Sequence, residues 1–359
     1  MPSPKKAKVK AAAPTPADYR MPAEWEPHAG TWLAWPHQAS DWPGRMGPIP
    51  WVYGEIVKRL SRVEHVHILV QSPAKEAAVR KLLNKFHVDA ANVSFWQWPT
   101  DRVWTRDSGP TFVVNDKGEK GVVDWRFNAW AKYDNHEYDD AIPGRVAKAT
   151  KLPVWQPKVR GQRVVLEGGS IDVNGDGLLL TTEECLLSNV QARNPGMTQT
   201  DYEKVFAEYL GIKKVLWLGR GIAGDDTHGH IDDLARFVGP RRIVTAVEDN
   251  ENDDNYAPLR ANLERLHGIT DAEGGHFDVI PLPMPSPIVF HNQRLPASYA
   301  NFYIANGLVL APTFNDENDR YALGILGEVF PDHKVVGIHC GDLVYGLGTL
   351  HCMTQQQPQ

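Results

Sequence analysis

Ser170-Ile-Asp-Val173, Asn174-Gly-Asp-Gly177 and Leu178-Leu-Leu-Thr-Thr182 decide the reading of the fold. Two β-branched or apolar runs flank a four-residue turn that contains both Asn-Gly and Asp-Gly, a strong short-range signal for a hairpin. Three further pairs read the same way. Thr111–Val114 turns through Asn115-Asp-Lys-Gly118 into Gly121–Asp124. Leu234–Val238 turns through Gly239-Pro-Arg-Arg242 into Ile243–Val247. Asn301–Ile304 turns through Ala305-Asn-Gly307 into Leu308–Pro312.

Between the pairs lie stretches with apolar residues at helical spacing. They are Tyr53–Val63, Ala74–Phe86, Thr200–Leu210, Asp254–Leu266 and Asp319–Val329, with Ser72, Thr198 and Asn318 as candidate caps. The chain thus cycles through hairpin and helix about five times. This predicts one α/β domain of repeated units over residues 21–359 rather than two unlike domains. Asn250–Asn255 reads as an acidic surface turn.

Composition bounds the rest. The chain has 359 residues, 42% hydrophobic and 23% charged, which suits a globular protein with a sizeable core. No apolar run reaches the length of a membrane span. Three cysteines exclude a disulfide scaffold and point to a reducing, cytoplasmic location. Residues 1–20 hold Lys5, Lys6, Lys8, Lys10 and Arg20 against Asp18, a balance of +4, and read as a disordered basic tail. The remainder carries −10 of the total −6. An acidic body argues against nucleic acid as a partner and is compatible with a small cation.

Polar clusters recur just upstream of the hairpins. With Asp107, Glu167, His230, Asn301 and Cys352 as markers, the gaps are 60, 63, 71 and 51 residues, one cluster per repeat. Repeats arranged about a pseudo-symmetry axis would bring all five to one mouth. Cys352 with His230 is a nucleophile and base. The carboxylates around them would repel an anion but suit a planar guanidinium, whose forked donors fit two carboxylates. Other readings remain open at this point. His228, His230 and Asp232 could share one face of a strand and ligate a metal. Arg106-Asp107 could be a structural ion pair, and Glu167-Gly-Gly-Ser170 a bare turn. Cys185 and Cys340 read as buried packing residues. Trp25, Trp32, Trp35, Trp42 and Trp51, among twelve tryptophans, read as core and rim.

Taken in order, the motifs resemble those of the agmatine deiminase family. They are Met21-Pro-Ala-Glu-Trp-Glu-Pro-His28, Ala34-Trp-Pro-His37, Asp41-Trp-Pro-Gly44, Trp104-Thr-Arg-Asp-Ser-Gly-Pro110 and Phe127-Asn-Ala-Trp130. Leu166-Glu-Gly-Gly-Ser170, Gly224-Asp-Asp-Thr-His-Gly-His-Ile-Asp232, Leu295-Pro-Ala-Ser-Tyr-Ala-Asn-Phe302 and Leu350-His-Cys-Met-Thr354 complete the set. The resemblance spans nearly the whole chain after the tail.

It implies a five-bladed, pseudo-symmetric α/β propeller (pentein) and hydrolysis of a guanidine without metal or cofactor. It implies Cys352 as nucleophile, His230 as general acid and base, and Glu167 as its partner. Asp107 and Asp232 would hold the guanidinium. Trp104 and Asp226 would contact the substrate, Asp226 toward the distal amine. His228 stands where many members have Asp, which touches substrate preference. The partner is a small cationic guanidine, with neither nucleic acid nor membrane, and a homo-oligomer is compatible with the sequence. Alternative activities are deimination of peptidyl or free arginine on the same fold, or non-catalytic polyamine binding.

Overall fold

Each antiparallel pair marked by turn residues acquires a third, parallel strand in the computed structural model, which describes residues 14–359. Thr111–Val114 runs antiparallel to Lys120–Val123, which pairs in parallel with Val154–Trp155. Asp172–Val173, Leu178–Thr182 and Lys214–Leu218 repeat the pattern. So do Ala235–Gly239, Arg242–Val247 and Asp278–Pro283, and again Tyr303–Ala305, Leu308–Thr313 and Lys334–His339. A parallel neighbour needs a crossover, usually a helix. Here the crossovers hold Ile142–Thr150, Gln199–Leu210, Tyr256–Gly268 and Asp319–Val329.

The fifth sheet joins the two ends of the described chain. Gln355–Pro358 lies antiparallel to His28–Ala34, which pairs in parallel with His65–Leu69 and, beyond it, Val93–Trp96. Helices Ile49–Leu60 and Pro73–Lys85 make these crossovers. Buried apolar side chains fill three clusters around the sheets. Among the described residues no helix is long and apolar enough to cross a membrane.

Several sequence expectations shift. The first helix begins at Ile49, earlier than the apolar spacing indicates, because Pro50 occupies the first turn, where its missing N–H costs nothing. Ser72 and Thr198 cap their helices as expected, Thr198 in a reciprocal pair with Asp201. Asn318 makes no side-chain cap; its amide donates instead to Met284 O at 2.9 Å. Within the Asn250–Asn255 turn, Asn255 is fully buried, and its side chain accepts from the amide of Ala223. Of the expected tail, residues 1–13 lie outside the described residues. Tyr19 is buried against Trp155, and Arg20 pairs with Val114, so contacts with the body already begin there. The Tyr19 ring and the Arg20 backbone find these partners only in three dimensions.

A few residues before the first strand of each antiparallel pair stands one of the marker clusters. Asp107 lies in the helical turn Thr105–Ser108, Glu167 just before the tight turn Gly168–Ser170, and His230 just before Ile231–Asp233. Asn301 precedes Tyr303–Ala305, and Cys352 precedes Gln355–Pro358. The turn Gly168–Ser170 packs against both Thr105–Ser108 and Ile231–Asp233.

Candidate active site

Cys352 is buried three residues from a strand rather than in a loose terminus. The turn that carries Asp107 is strapped to it: the Arg106 amide donates to Cys352 O at 3.1 Å, and Thr105 Oγ1 to Met353 O at 2.7 Å. Asp107 is fixed in turn by the Gly169 amide on Oδ1 (3.0 Å) and Trp130 Nε1 on Oδ2 (2.9 Å). Burial pushes its carboxyl up to about 6, with His230 opposing and Asp232 reinforcing the rise.

The His230 ring sits among carboxylates. Nε2 is 3.6 Å from Glu167 Oε2, and Nδ1 is 3.8 Å from Asp107 Oδ1 and 3.9 Å from Asp232 Oδ1. None of these is a hydrogen bond, so both ring nitrogens, Glu167 Oε2 and Asp232 Oδ1 are buried without a partner. Its backbone is held by Asp225, whose Oδ2 accepts from the amides of Gly229 and His230. Burial disfavours the imidazolium, but Asp107, Cys185 and Glu167 outweigh it and raise its pKa well above the usual range. Burial likewise works against the Glu167 carboxylate. Arg193, 3.1 Å away, and His230 prevail and hold it down at about 2.

A second shell of charge supports Asp232. His351 places Nδ1 2.7 Å from Asp232 Oδ2 and Nε2 2.7 Å from Glu24 Oε2. The imidazole thus bridges the two carboxylates through both of its nitrogens. Glu24 also receives Arg236 at 2.9 Å and Arg106 at 3.4 Å. His351 thereby lowers the Asp232 carboxyl against the effect of burial. Cys352 Sγ lies 3.7 Å from Asp232 Oδ2, and burial with Asp232 and Asp233 raises its thiol well above the ordinary value. An added cation here would offset those carboxylates.

Above this floor opens a cavity of about 460 Å³. Trp104, Trp130 and Tyr133 contribute its aromatic wall, and Asp41, Arg102 and Asp226 its charged groups. The Asp226 carboxylate is engaged by Lys132 Nζ at 2.5 Å and Tyr133 Oη at 2.8 Å. At Asp41, burial pushes the carboxyl up to about 6, with Arg102 opposing.

The structure therefore gathers Asp107, Glu167, His230, Asp232 and Cys352 at one floor, with Trp104 and Asp226 lining the cavity above. Arg106 pairs with Glu24 and not with Asp107. His228 does not join His230 and Asp232 on a strand face. Residues 231–233 form a tight turn, His228 has φ +66°, and its Nε2 stands 3.2 Å from Ser188 Oγ. Sequence reasoning missed the parts played by Trp130, Arg193, Asp233 and His351, although Trp130 and His351 stand inside the quoted motifs. Cys185 is buried as expected, but it also lies beside Glu167 and His230. Potential ligand atoms of these three residues lie within 4.8 Å of one another, as do those of Asp232, Asp233 and Cys352. Arg193 against Glu167 disfavours an added cation in the first group.

Comparison with known proteins places this arrangement. The sequence model of the Porphyromonas-type peptidyl-arginine deiminases matches residues 20–358. The chain is 35% identical over 370 residues to an agmatine deiminase of Pseudomonas aeruginosa (strain LESB58), covering 97% of each. It is 37% identical over 372 residues to that of Pseudomonas putida, again covering 97% of each. The solved agmatine deiminase of Enterococcus faecalis superposes with a TM-score of 0.88 at 33% identity, over 98% of this chain and 100% of that one. A substrate-bound C. jejuni agmatine deiminase gives 0.83 at 31% identity, over 95% and 96%.

Proposed function

The chain belongs to the Porphyromonas-type peptidyl-arginine deiminase family, and we propose that within it the protein is an agmatine deiminase, hydrolysing agmatine to N-carbamoylputrescine and ammonia. One observation carries the reading beyond family resemblance. A buried thiol and the Asp107 carboxylate line the cavity, with His230, Glu167 and Asp232 gathered against them, and polar atoms of these last three are left without partners among the described residues. A neutral ligand would leave that negative charge uncompensated, whereas a guanidinium brings a planar cation with forked donors.

In the mechanism, Asp107 and Asp232 hold the guanidinium over Cys352. The bound cation offsets the carboxylates that raise the thiol and so favours the thiolate. The sulfur attacks the guanidinium carbon, forming the C–S bond. Imidazolium His230 gives its proton to the departing nitrogen, the C–N bond breaks, and ammonia leaves an amidino-thioether on Cys352. Neutral His230 then takes a proton from water as the oxygen adds to the same carbon. The C–S bond breaks, the thiolate leaves, the adduct's hydroxyl proton passes to water and the neutral ureido product departs. Glu167, held ionised by Arg193, supports the positive charge on His230 in the first half. These steps use only side chains of the chain and water.

The finer fold reading, a five-bladed α/β propeller (pentein), is supported by four three-stranded sheets and one four-stranded sheet that share an antiparallel pair extended by a parallel strand, each with a marker cluster just ahead of its antiparallel pair. Three free cysteines, all buried, support a reducing compartment such as the cytoplasm.

The test is ammonia release from agmatine, free arginine and an arginine peptide, by wild type and Cys352→Ala. Release from agmatine by wild type alone is expected. Full release by Cys352→Ala overturns the mechanism, and preference for the peptide reassigns the substrate.

A further inference from the structure

Residues 182–193 grip the loop that leads into His230 at several successive places. Thr182 Oγ1 donates to Gly229 O at 2.5 Å, and Glu184 Oε2 accepts from the Gly221 amide at 2.7 Å. Ser188 Oγ stands 3.2 Å from His228 Nε2, Gln191 Nε2 donates to Asp226 O at 3.1 Å, and Arg193 donates to Thr227 O. Inside this bracket sits Cys185, in the helical turn Glu183–Leu187. Its amide donates to Thr182 Oγ1 at 3.0 Å, so one hydroxyl ties the backbone of Cys185 to the residue just before His230.

The buried Cys185 thiol also meets the acid–base pair itself. Its sulfur, a ring nitrogen of His230 and a carboxylate oxygen of Glu167 lie within 4.8 Å of one another. His230 Nε2 and Glu167 Oε2 are buried and, among the described residues, have no hydrogen-bond partner. At 3.6 Å apart they do not satisfy each other. A thiol is both a weak donor and a weak acceptor, and so can serve a ring N–H and a carboxylate oxygen together. The other ring nitrogen, Nδ1, is directed toward Asp107 and Asp232, at 3.8 and 3.9 Å. That is the side on which the proposed guanidinium is held.

We infer that Cys185 is a positioning residue: with Glu167 it keeps the N–H of His230 at Nε2, so that Nδ1 is the nitrogen that gives and takes the proton. The inference rests on the reading of the protein as an agmatine deiminase and adds to it a thiol that does not line the substrate cavity. The sulfur accepts from Nε2–H while its own S–H is directed to Glu167 Oε2. The Nε2 proton stays in place through both halves of the reaction, and no bond to this sulfur forms or breaks. Fixing the tautomer of a histidine from its far nitrogen is a known way to set which nitrogen reacts.

The experiment compares Cys185→Ser, Cys185→Ala and Cys185→Val with wild type by steady-state ammonia release from agmatine, with a thermal melt on each sample. Serine keeps a donor and an acceptor, whereas alanine and valine have neither, and valine still fills the space. Cys185→Ser is expected to keep kcat within about threefold of wild type. In Cys185→Ala and Cys185→Val kcat should fall about tenfold, with KM changed less than about twofold. Wild-type turnover by Cys185→Val means that the sulfur only fills space and overturns the inference. A loss in Cys185→Ser equal to that in Cys185→Ala, or losses that fall on KM, overturn it as well. If one apolar variant does not fold, the other is set against Cys185→Ser. Failure of both to fold while Cys185→Ser folds marks a structural role and also overturns the inference. Wild-type protein that releases no ammonia from agmatine overturns the preceding functional reading instead, and is recognised before any variant is compared.

Discussion

The side-chain nitrogen of Asn301 stands 3.0 Å from Cys352 Sγ and 3.0 Å from Asp233 Oδ1. Its oxygen accepts from Thr349 Oγ1 at 2.7 Å and from the His351 amide at 2.9 Å. One amide group thus shapes the turn that presents the thiol and supplies the sulfur with a donor amid carboxylates. Asn301→Asp keeps the shape but replaces that donor with a further acceptor. Ammonia release from agmatine should fall about 10²- to 10³-fold, the usual cost of losing one donor to a reacting centre. A near-wild-type kcat would show that the contact is incidental.

Gly169 is required by space. A Cβ there would stand 2.6 Å from His230 Nδ1 and 2.7 Å from Asp107 Oδ1. Gly169→Ala must displace His230 or Asp107, the proposed acid–base residue and a proposed guanidinium-holding carboxylate. Misplacement on the ångström scale costs about 10²-fold in rate. Steady-state kinetics and a thermal melt on the same sample should show activity lost well before the fold is.

His351→Leu removes the buried imidazole that bridges Asp232 and Glu24. Breaking a buried charge network by deleting one member costs about 3–5 kcal/mol. Urea unfolding should reveal a loss of that order, with activity nearly abolished as Asp232 loses its support. An unchanged unfolding midpoint would mean that the network is dispensable.

The acid limb of activity belongs to Asp107 in this scheme. Its carboxyl is raised to about 6, so it is ionised above that pH and protonated below it. One of the two carboxylates that hold the guanidinium is neutralised as pH falls through 6, and kcat/KM for agmatine should fall with it. Glu167, at about 2, stays ionised across that window and affects stability instead. Its folded value lies below an unfolded value of about 4.3, so its contribution is complete above that pH and is lost progressively toward 2. A flat kcat/KM profile between pH 5 and 7 (about one unit either side of the Asp107 value) would refute the assignment.

Much of the architecture was legible because turns are local. Asn174-Gly175 and its counterparts mark hairpins through a few contiguous residues, and the parallel third strands follow from helix-length crossovers. The floor of the site was legible because one cluster recurs per repeat. Partnerships that form only in space were not legible. Arg193 meets Glu167 from a later loop, and His351 touches Glu24 from the opposite end of the sequence. Asn318 has a capping residue's identity, yet tertiary contact takes its amide to Met284. His228 and Asp232 look alternate in sequence, and the tight turn between them cancels the alternation.

Deleting residues 355–359 offers a last check. Chain termini usually tolerate trimming, but here Gln355, Gln356 and Gln357 pair with Trp32, Thr31 and Gly30. The truncated protein should lose ammonia release entirely, and circular dichroism with a thermal melt should report a destabilised fold. Retained activity would show that Cys352 is held without that strand.

That pairing has a bearing on biosynthesis. The strand His28–Ala34 is made early, and the edge that completes its sheet arrives only after the rest of the domain has been translated. Cys352, the proposed nucleophile, is delivered in the same late segment, a few residues ahead of the edge strand. A ribosome-bound intermediate therefore exposes an unpaired edge, a hazard for association between nascent chains. It also lacks the Cys352 thiol, so prematurely terminated products are expected to be catalytically silent.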